Sequence, residues 1–123
     1  MSERTVLSKD KISSQALKAI SNFHPDIVRV VMETVAQDRV VVVGMKQNPV
    51  VKQARQLLDQ QNIRYTYLEY GSYFSMWKER LAIKLWSGWP TYPQIFVNST
   101  LIGGLADLRE EVASGELQKR LQK

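Results

Sequence analysis

The chain holds no cysteine and a single histidine, His24, among its 123 residues. With no thiolate there is no nucleophile for sulfur exchange, no structural disulfide, no thiolate zinc site and no cysteine-ligated iron–sulfur cluster. His24 has no Cys to join it, so ligand count argues against a metal site. The chemistry left to the charged residues is anion binding. Between Lys46 and Lys84 the bases Lys46, Lys52, Arg55, Arg64, Lys78, Arg80 and Lys84 outnumber the acids Asp59, Glu69 and Glu79, which suits an anionic partner. No RNA-binding signature, Gly-rich phosphate loop or consecutive run of Lys and Arg accompanies that excess, which counts against nucleic acid.

Three further groups of residues could contribute. Asn48-Pro49 precedes an apolar helical pattern, where Asn caps the first turn by accepting from N–H groups two or three residues on. Gly103-Gly104 permits either a tight strand-to-helix turn or the close approach of a ligand to the backbone. The stretch YLEYGSYFSMW is dense in aromatics, and Tyr70, Tyr73, Phe74 and Trp77 fall at a turn, where an exposed patch would suit a protein or peptide partner.

The elements that must position these residues follow from the apolar periodicity. Ser13 to Phe23 and Pro25 to Gln37 read as helices, the second carrying Ile27, Val28, Val31 and Val35 at helical spacing with Pro25 in the first turn and His24 at its entry. Arg39 to Met45 (RVVVVGM) is a β-branched strand, apolar on both faces, as at the centre of a helix-covered sheet. A sharp turn then leads into a helix with Val50, Ala54, Leu57 and Leu58 on one face. Arg64 to Glu69 is a second strand, followed by a helix whose Trp77, Leu81, Leu85 and Trp86 are spaced to pack inward. Pro93 to Val97 and Thr100 to Ile102 form a hairpin through Asn98-Ser99, and Leu105 to Leu121 is a closing helix. The order is β-α-β-α-β-β-α after a helical extension over 1–37, with the main domain at 38–123.

Composition agrees with one soluble domain: 44% of residues are apolar and the net charge is +5. The apolar run from Val40 to Met45 is far shorter than the ~20 residues of a membrane span. The charged N-terminus MSERTVLSKDK lacks the apolar region of a secretion signal, so a cytoplasmic location is expected.

WPTYPQIFV at 89–97, LIGG at 101–104 and the terminal SGELQKRL together resemble the glutaredoxins, closest to the monothiol type, over about residues 38 to 121, and suggest an atypical bacterial subgroup with an Asn-Pro turn. The resemblance implies a thioredoxin-like α/β fold, a four-stranded mixed sheet flanked by helices, and a place in cell redox homeostasis. It puts Lys46 at the family lysine and aligns Asn48, Pro49, Val50 and Val51 with the helix-opening cysteine motif, Asn48 at the nucleophile. The motif is therefore degenerate and no catalytic residue is carried over. For glutathione, the resemblance implies contacts from Lys46 and Arg80 to carboxylates, from the Tyr92 backbone between Thr91 and a cis Pro93, and from Gly103, Gly104 and Asp107. Leu105-Ala106 replaces the family's Cys-Asp, which removes a contact to the ligand's amino end.

Three functions follow from these readings. The first is a binding or regulatory module that keeps a glutathione or peptide groove without thiol–disulfide exchange. The second is a glutathione-dependent enzyme, of transferase or oxidoreductase type, that uses the thiol of bound glutathione. The third is a scaffold working through its basic surface and N-terminal helices.

Overall fold

A computed structural model describes residues 7–122. After a 3-10 turn at Lys9–Lys11 come α1 (Ser14–Ser21), α2 (Pro25–Gln37), β1 (Val40–Gly44), α3 (Pro49–Gln60), β2 (Thr66–Glu69), α4 (Trp77–Ser87), β3 (Gln94–Val97), β4 (Thr100–Gly103), α5 (Leu105–Ser114) and α6 (Glu116–Gln122). The strands form one mixed sheet in the order β2-β1-β3-β4. β1 and β2 are parallel, with Val41 opposite Thr66, while β1 is antiparallel to β3, with Val43 opposite Gln94. This is the thioredoxin-like α/β fold.

Alternation along β1 sorts the two halves of the core. Val41 and Val43 pack with Val31 and Val35 of α2, Ile83 of α4 and Phe96. Val40 and Val42 face Ala54 and Leu58 of α3, Leu105 and Leu108 of α5 and Leu117 of α6. A strand covered on both sides needs apolar residues at every position, which is why VVVV suits it. Leu58, Leu108 and Leu117 are wholly buried, each worth about 1.5–3 kcal/mol of transfer free energy. Of the two N-terminal helices α2 belongs to this core, to which it supplies Val31 and Val35, whereas α1 has no buried residue.

Local chemistry explains most boundaries. Ser13 caps α1 by accepting from the Ala16 N–H, and Pro25 opens α2. Asn98 and Ser99 both have positive φ, 49° and 66°, the two-residue turn whose twist matches a hairpin. Gly44 lies where α3 crosses β1: a Cβ there would come within 2.7 Å of Val51 Cγ1.

The helix packing departs from the sequence pattern in several places. In α4 the buried residues are Arg80, Ala82 and Ile83, whereas Trp77, Leu81, Leu85 and Trp86 are 58%, 37%, 59% and 37% exposed. The run LAIKLW is apolar almost all round, so its period does not select a face; packing against α2 does. In α3 the inward residues are Val51, Ala54 and Leu58, and Val50 is turned to solvent. β2 starts at Thr66, two residues late. The closing helix breaks at Gly115, which takes φ 83° and separates α5 from α6. No helix among the described residues is long and apolar enough to cross a membrane.

Candidate functional site

The topology collects the sequence-predicted residues at one end of the sheet. Parallel β1 and β2 end there, β3 starts there, and β4 ends there. Lys46, Tyr70, Tyr92-Pro93 and Gly103-Gly104 therefore converge, and α3, α4 and α5 all begin at this edge. The loops after β1 and β2 are tied together by backbone hydrogen bonds: the Tyr70 N–H donates to the Gly44 carbonyl (2.9 Å) and the Lys46 N–H to the Gly71 carbonyl (2.7 Å). These bonds continue the β1–β2 ladder past its formal end and leave the Lys46 side chain exposed.

Asn48 is the N-cap of α3. Its Oδ1 accepts from the N–H groups of Val50 (2.9 Å) and Val51 (3.0 Å), and Pro49 follows at the first helical position. Its Nδ2 donates to the Tyr73 hydroxyl at 3.4 Å. The side chain thus satisfies two N–H groups of the helix end, a structural use of an amide that supplies no nucleophile.

Tyr92-Pro93 is a cis peptide. Neither the N–H nor the C=O of Tyr92 enters a backbone hydrogen bond among the described residues. The tyrosine ring is buried, and its hydroxyl donates to the Arg80 carbonyl at 2.5 Å. Burial pushes the Tyr92 phenol well above its ordinary range, opposed by the Arg80 charge and reinforced by Tyr70. Thr91 is exposed, while Pro93, Gly103 and Gly104 are buried. Gly103 adopts φ 119°, and a Cβ there would collide with the Asp107 carboxylate. Gly104 lies beside the cis proline: a Cβ on it would sit 3.5 Å from the Pro93 carbonyl oxygen and 3.6 Å from Trp89 Nε1.

The charged residues are placed differently from one another. Lys46 is exposed at the edge. Arg80 is only 7% exposed, and its Nη1 donates to the carbonyls of Tyr70 (2.9 Å) and Ser75 (2.6 Å). It fastens the β2–α4 loop to α4 from inside. Asp107 turns back to accept from the Gly104 N–H at 2.9 Å, capping α5. Ala106 is exposed and carries no charge. The basic stretch is not one patch, because Arg80 is buried and Arg55 stacks over the Tyr67 ring at 3.8 Å.

The aromatic turn divides as well. Tyr73, Phe74 and Trp77 are 58%, 95% and 58% exposed, but Tyr70 is buried at 8%, packed with Val31 and Ile83, and belongs to the core and not to the patch. Periodicity gave no sign of Trp89, whose Nε1 is buried with no hydrogen-bond partner, or of the fully buried Gln94, whose Nε2 donates to the Trp89 carbonyl (3.0 Å). Its signal was the apolar-strand context of QIFV, in which a Gln stands out.

Comparison with known proteins agrees with this geometry. A glutaredoxin-like protein of Dictyostelium discoideum is 50% identical over 104 residues, covering 85% of each chain. Glutaredoxin 3 of Danio rerio is 39% identical over 72 residues, covering 58% of this chain, which spans only 21% of that relative. The crystal structure of a buckwheat glutaredoxin–glutathione complex superposes with a TM-score of 0.68 at 21% identity, covering 80% of this chain and 89% of that one, a likeness of fold. Residues 40–102 match the family described as Glutaredoxin, and with the cysteine-free sequence the conclusion is that the chain is a cysteine-less member of the glutaredoxin family.

Proposed function

We propose that the protein is a cytoplasmic binding or regulatory module that retains the glutathione or peptide groove of its family and performs no thiol–disulfide exchange. The observation that carries this reading is the open Tyr92 backbone at the cis proline, set against the glycine pair in a chain without sulfur nucleophiles. An extended γ-glutamyl-cysteinyl-glycine chain would pair with the Tyr92 N–H and C=O as an added strand, with Lys46 meeting a carboxylate. The fit is partial. The amino end meets Ala106 instead of a carboxylate, Asp107 is held by Gly104, and Arg80 supports the groove through its loop, so binding is weak.

A glutathione titration followed by 15N NMR, run beside a hydroxyethyl-disulfide reduction assay, tests this. The expected result is joint shifts at Lys46, Tyr92, Gly103 and Gly104 with no turnover above the uncatalysed rate. Turnover would favour the enzyme that borrows the thiol of bound glutathione. Shifts confined to Tyr73, Phe74 and Trp77, or none at millimolar ligand, would favour a protein-interaction scaffold.

A further inference from the structure

A second cavity opens on the sheet face that α3 covers, a cleft of about 560 Å³ between α3 and edge strand β2, whose lining includes neither Tyr92 nor the glycine pair. Its central feature is Arg55. The guanidinium lies 3.8 Å from the Tyr67 ring centroid, and its Nε donates to the Tyr65 hydroxyl at 3.2 Å. Tyr65, just before β2, and Tyr67 within it thus fix the plane and the direction of a single arginine fork. Such fixation removes rotamer entropy that a free arginine would lose on gripping a ligand.

No carboxylate lies within ion-pair distance of Arg55 among the described residues. Across the cleft Glu69 accepts from the Tyr67 hydroxyl at 3.0 Å, while Asp59, one turn along α3, acts on Arg55 electrostatically without forming an ion pair. One charge rests on the face of the Tyr67 ring and the other is bonded to its hydroxyl, and no ion pair joins them. Two opposite charges that line one cleft without pairing suit a small molecule that sets an ammonium against the carboxylate and a carboxylate against the guanidinium. Burial and the Glu69 contact push the Tyr67 phenol up to about 12. Below these groups the floor is apolar, from Met45 and Val51, 6% and 2% exposed.

We propose that the α3–β2 cleft is a binding site for a free α-amino acid with an apolar side chain, its carboxylate held by Arg55, its ammonium by Glu69 and its side chain on the Met45–Val51 floor. The cleft shares Gln47, Asn48 and Pro49 of the β1–α3 turn with the edge of the cis-proline groove, but the proposal does not require that glutathione bind there. Lys52, one turn before Arg55 on α3, adds positive potential at the carboxylate end. Asp59, one turn beyond Arg55, lies at the far end of the cleft from Glu69.

The experiment is an NMR titration of the whole chain with L-leucine, L-leucinamide and N-acetyl-L-leucine. Leucine is expected to shift the Arg55 Nε–H, Tyr67 and Glu69 signals. The amide and the N-acetyl form, each lacking one charge, are expected to bind at least about tenfold more weakly, since each leaves one charged group of the protein unmet. Arg55→Gln and Glu69→Gln should each abolish the leucine shifts; Glu69 is exposed, so the second variant tests the site even if the first disturbs α3. Equal binding of N-acetyl-L-leucine, no shifts at millimolar leucine, or leucine shifts at Tyr92 and Gly104 in place of Arg55 would each overturn the proposal.

Discussion

Replacing Arg80 by methionine should destabilise the fold more than it alters any surface. The guanidinium is 7% exposed and has no carboxylate within ion-pair distance among the described residues. Two effects therefore oppose each other. Removing the charge relieves its desolvation, which in some buried sites makes an apolar replacement neutral or stabilising. Against this, Nη1 is the donor to the Tyr70 and Ser75 carbonyls, and methionine leaves both without a partner, the first in a buried setting. An unmet buried acceptor costs about 1–3 kcal/mol, so the pair contributes roughly 2–5 kcal/mol. The charge relief is the smaller effect, because a guanidinium is weakly hydrated and delocalised. The net expectation is a loss of about 2–4 kcal/mol, a large part of the 5–15 kcal/mol typical of a domain. Urea unfolding followed by tryptophan fluorescence measures it as a fall in the midpoint at unchanged m-value. A variant as stable as the parent, or more so, would show that the carbonyl contacts do not hold the β2–α4 loop.

Other substitutions test the remaining supports. Asn48→Ala should cost about 1 kcal/mol through loss of the α3 cap, read by the same unfolding curves; Asn48→Cys should titrate below the ordinary thiol value of about 8.5, followed by thiolate absorbance, because the helix end favours the anion. Gly103→Ala should lose about 1–3 kcal/mol, since φ 119° is closed to alanine and its Cβ meets Asp107, whereas Gly104→Ala, with ordinary contacts only, should leave thermal stability within about 1 kcal/mol of the parent. The alkaline limb of stability should depend on Tyr92. Its folded-state ionisation lies above the unfolded value of 10.0, so the protonated phenol's stabilisation is complete below that pH and is lost as pH rises past it. Tyr92→Phe should begin less stable by about 1 kcal/mol and show a shallower decline on the way to pH 11, by up to about 1.4 kcal/mol per pH unit.

The strands and the helix openings were readable because each rests on short-range chemistry. VVVV is a buried strand wherever it sits, Asn48-Pro49 announces a helix start, and Asn98-Ser99 joins a hairpin. The direction of side chains on α4 was not readable. Arg80 follows the spacing of a groove-facing cation, yet it is drawn inward by two carbonyls of a loop whose path only the tertiary structure defines. Tyr70 likewise reads as part of an exposed aromatic cluster until its N–H is seen to extend the β1–β2 ladder at Gly44, which carries its ring into the core. The α3–β2 cleft joins Arg55 to residues ten and more positions away, a distance no local pattern reports.

At the pole opposite the groove, the Asn98-Ser99 turn is where the chain is knotted together. The Asn98 N–H reaches the Arg39 carbonyl (2.8 Å), the Ser99 hydroxyl reaches the Val35 carbonyl (3.2 Å), and the Asn98 side chain donates to the Arg120 carbonyl. Thr66 joins from β2 through Asp38 (2.7 Å). The last turns of α2 and α6 and the starts of β1 and β2 are thereby clasped around one hairpin, at the opposite end of the sheet from the candidate site. A substitution at the candidate site that spares its own caps and loop ties therefore leaves this clasp untouched, still joining four elements of the fold at the other pole.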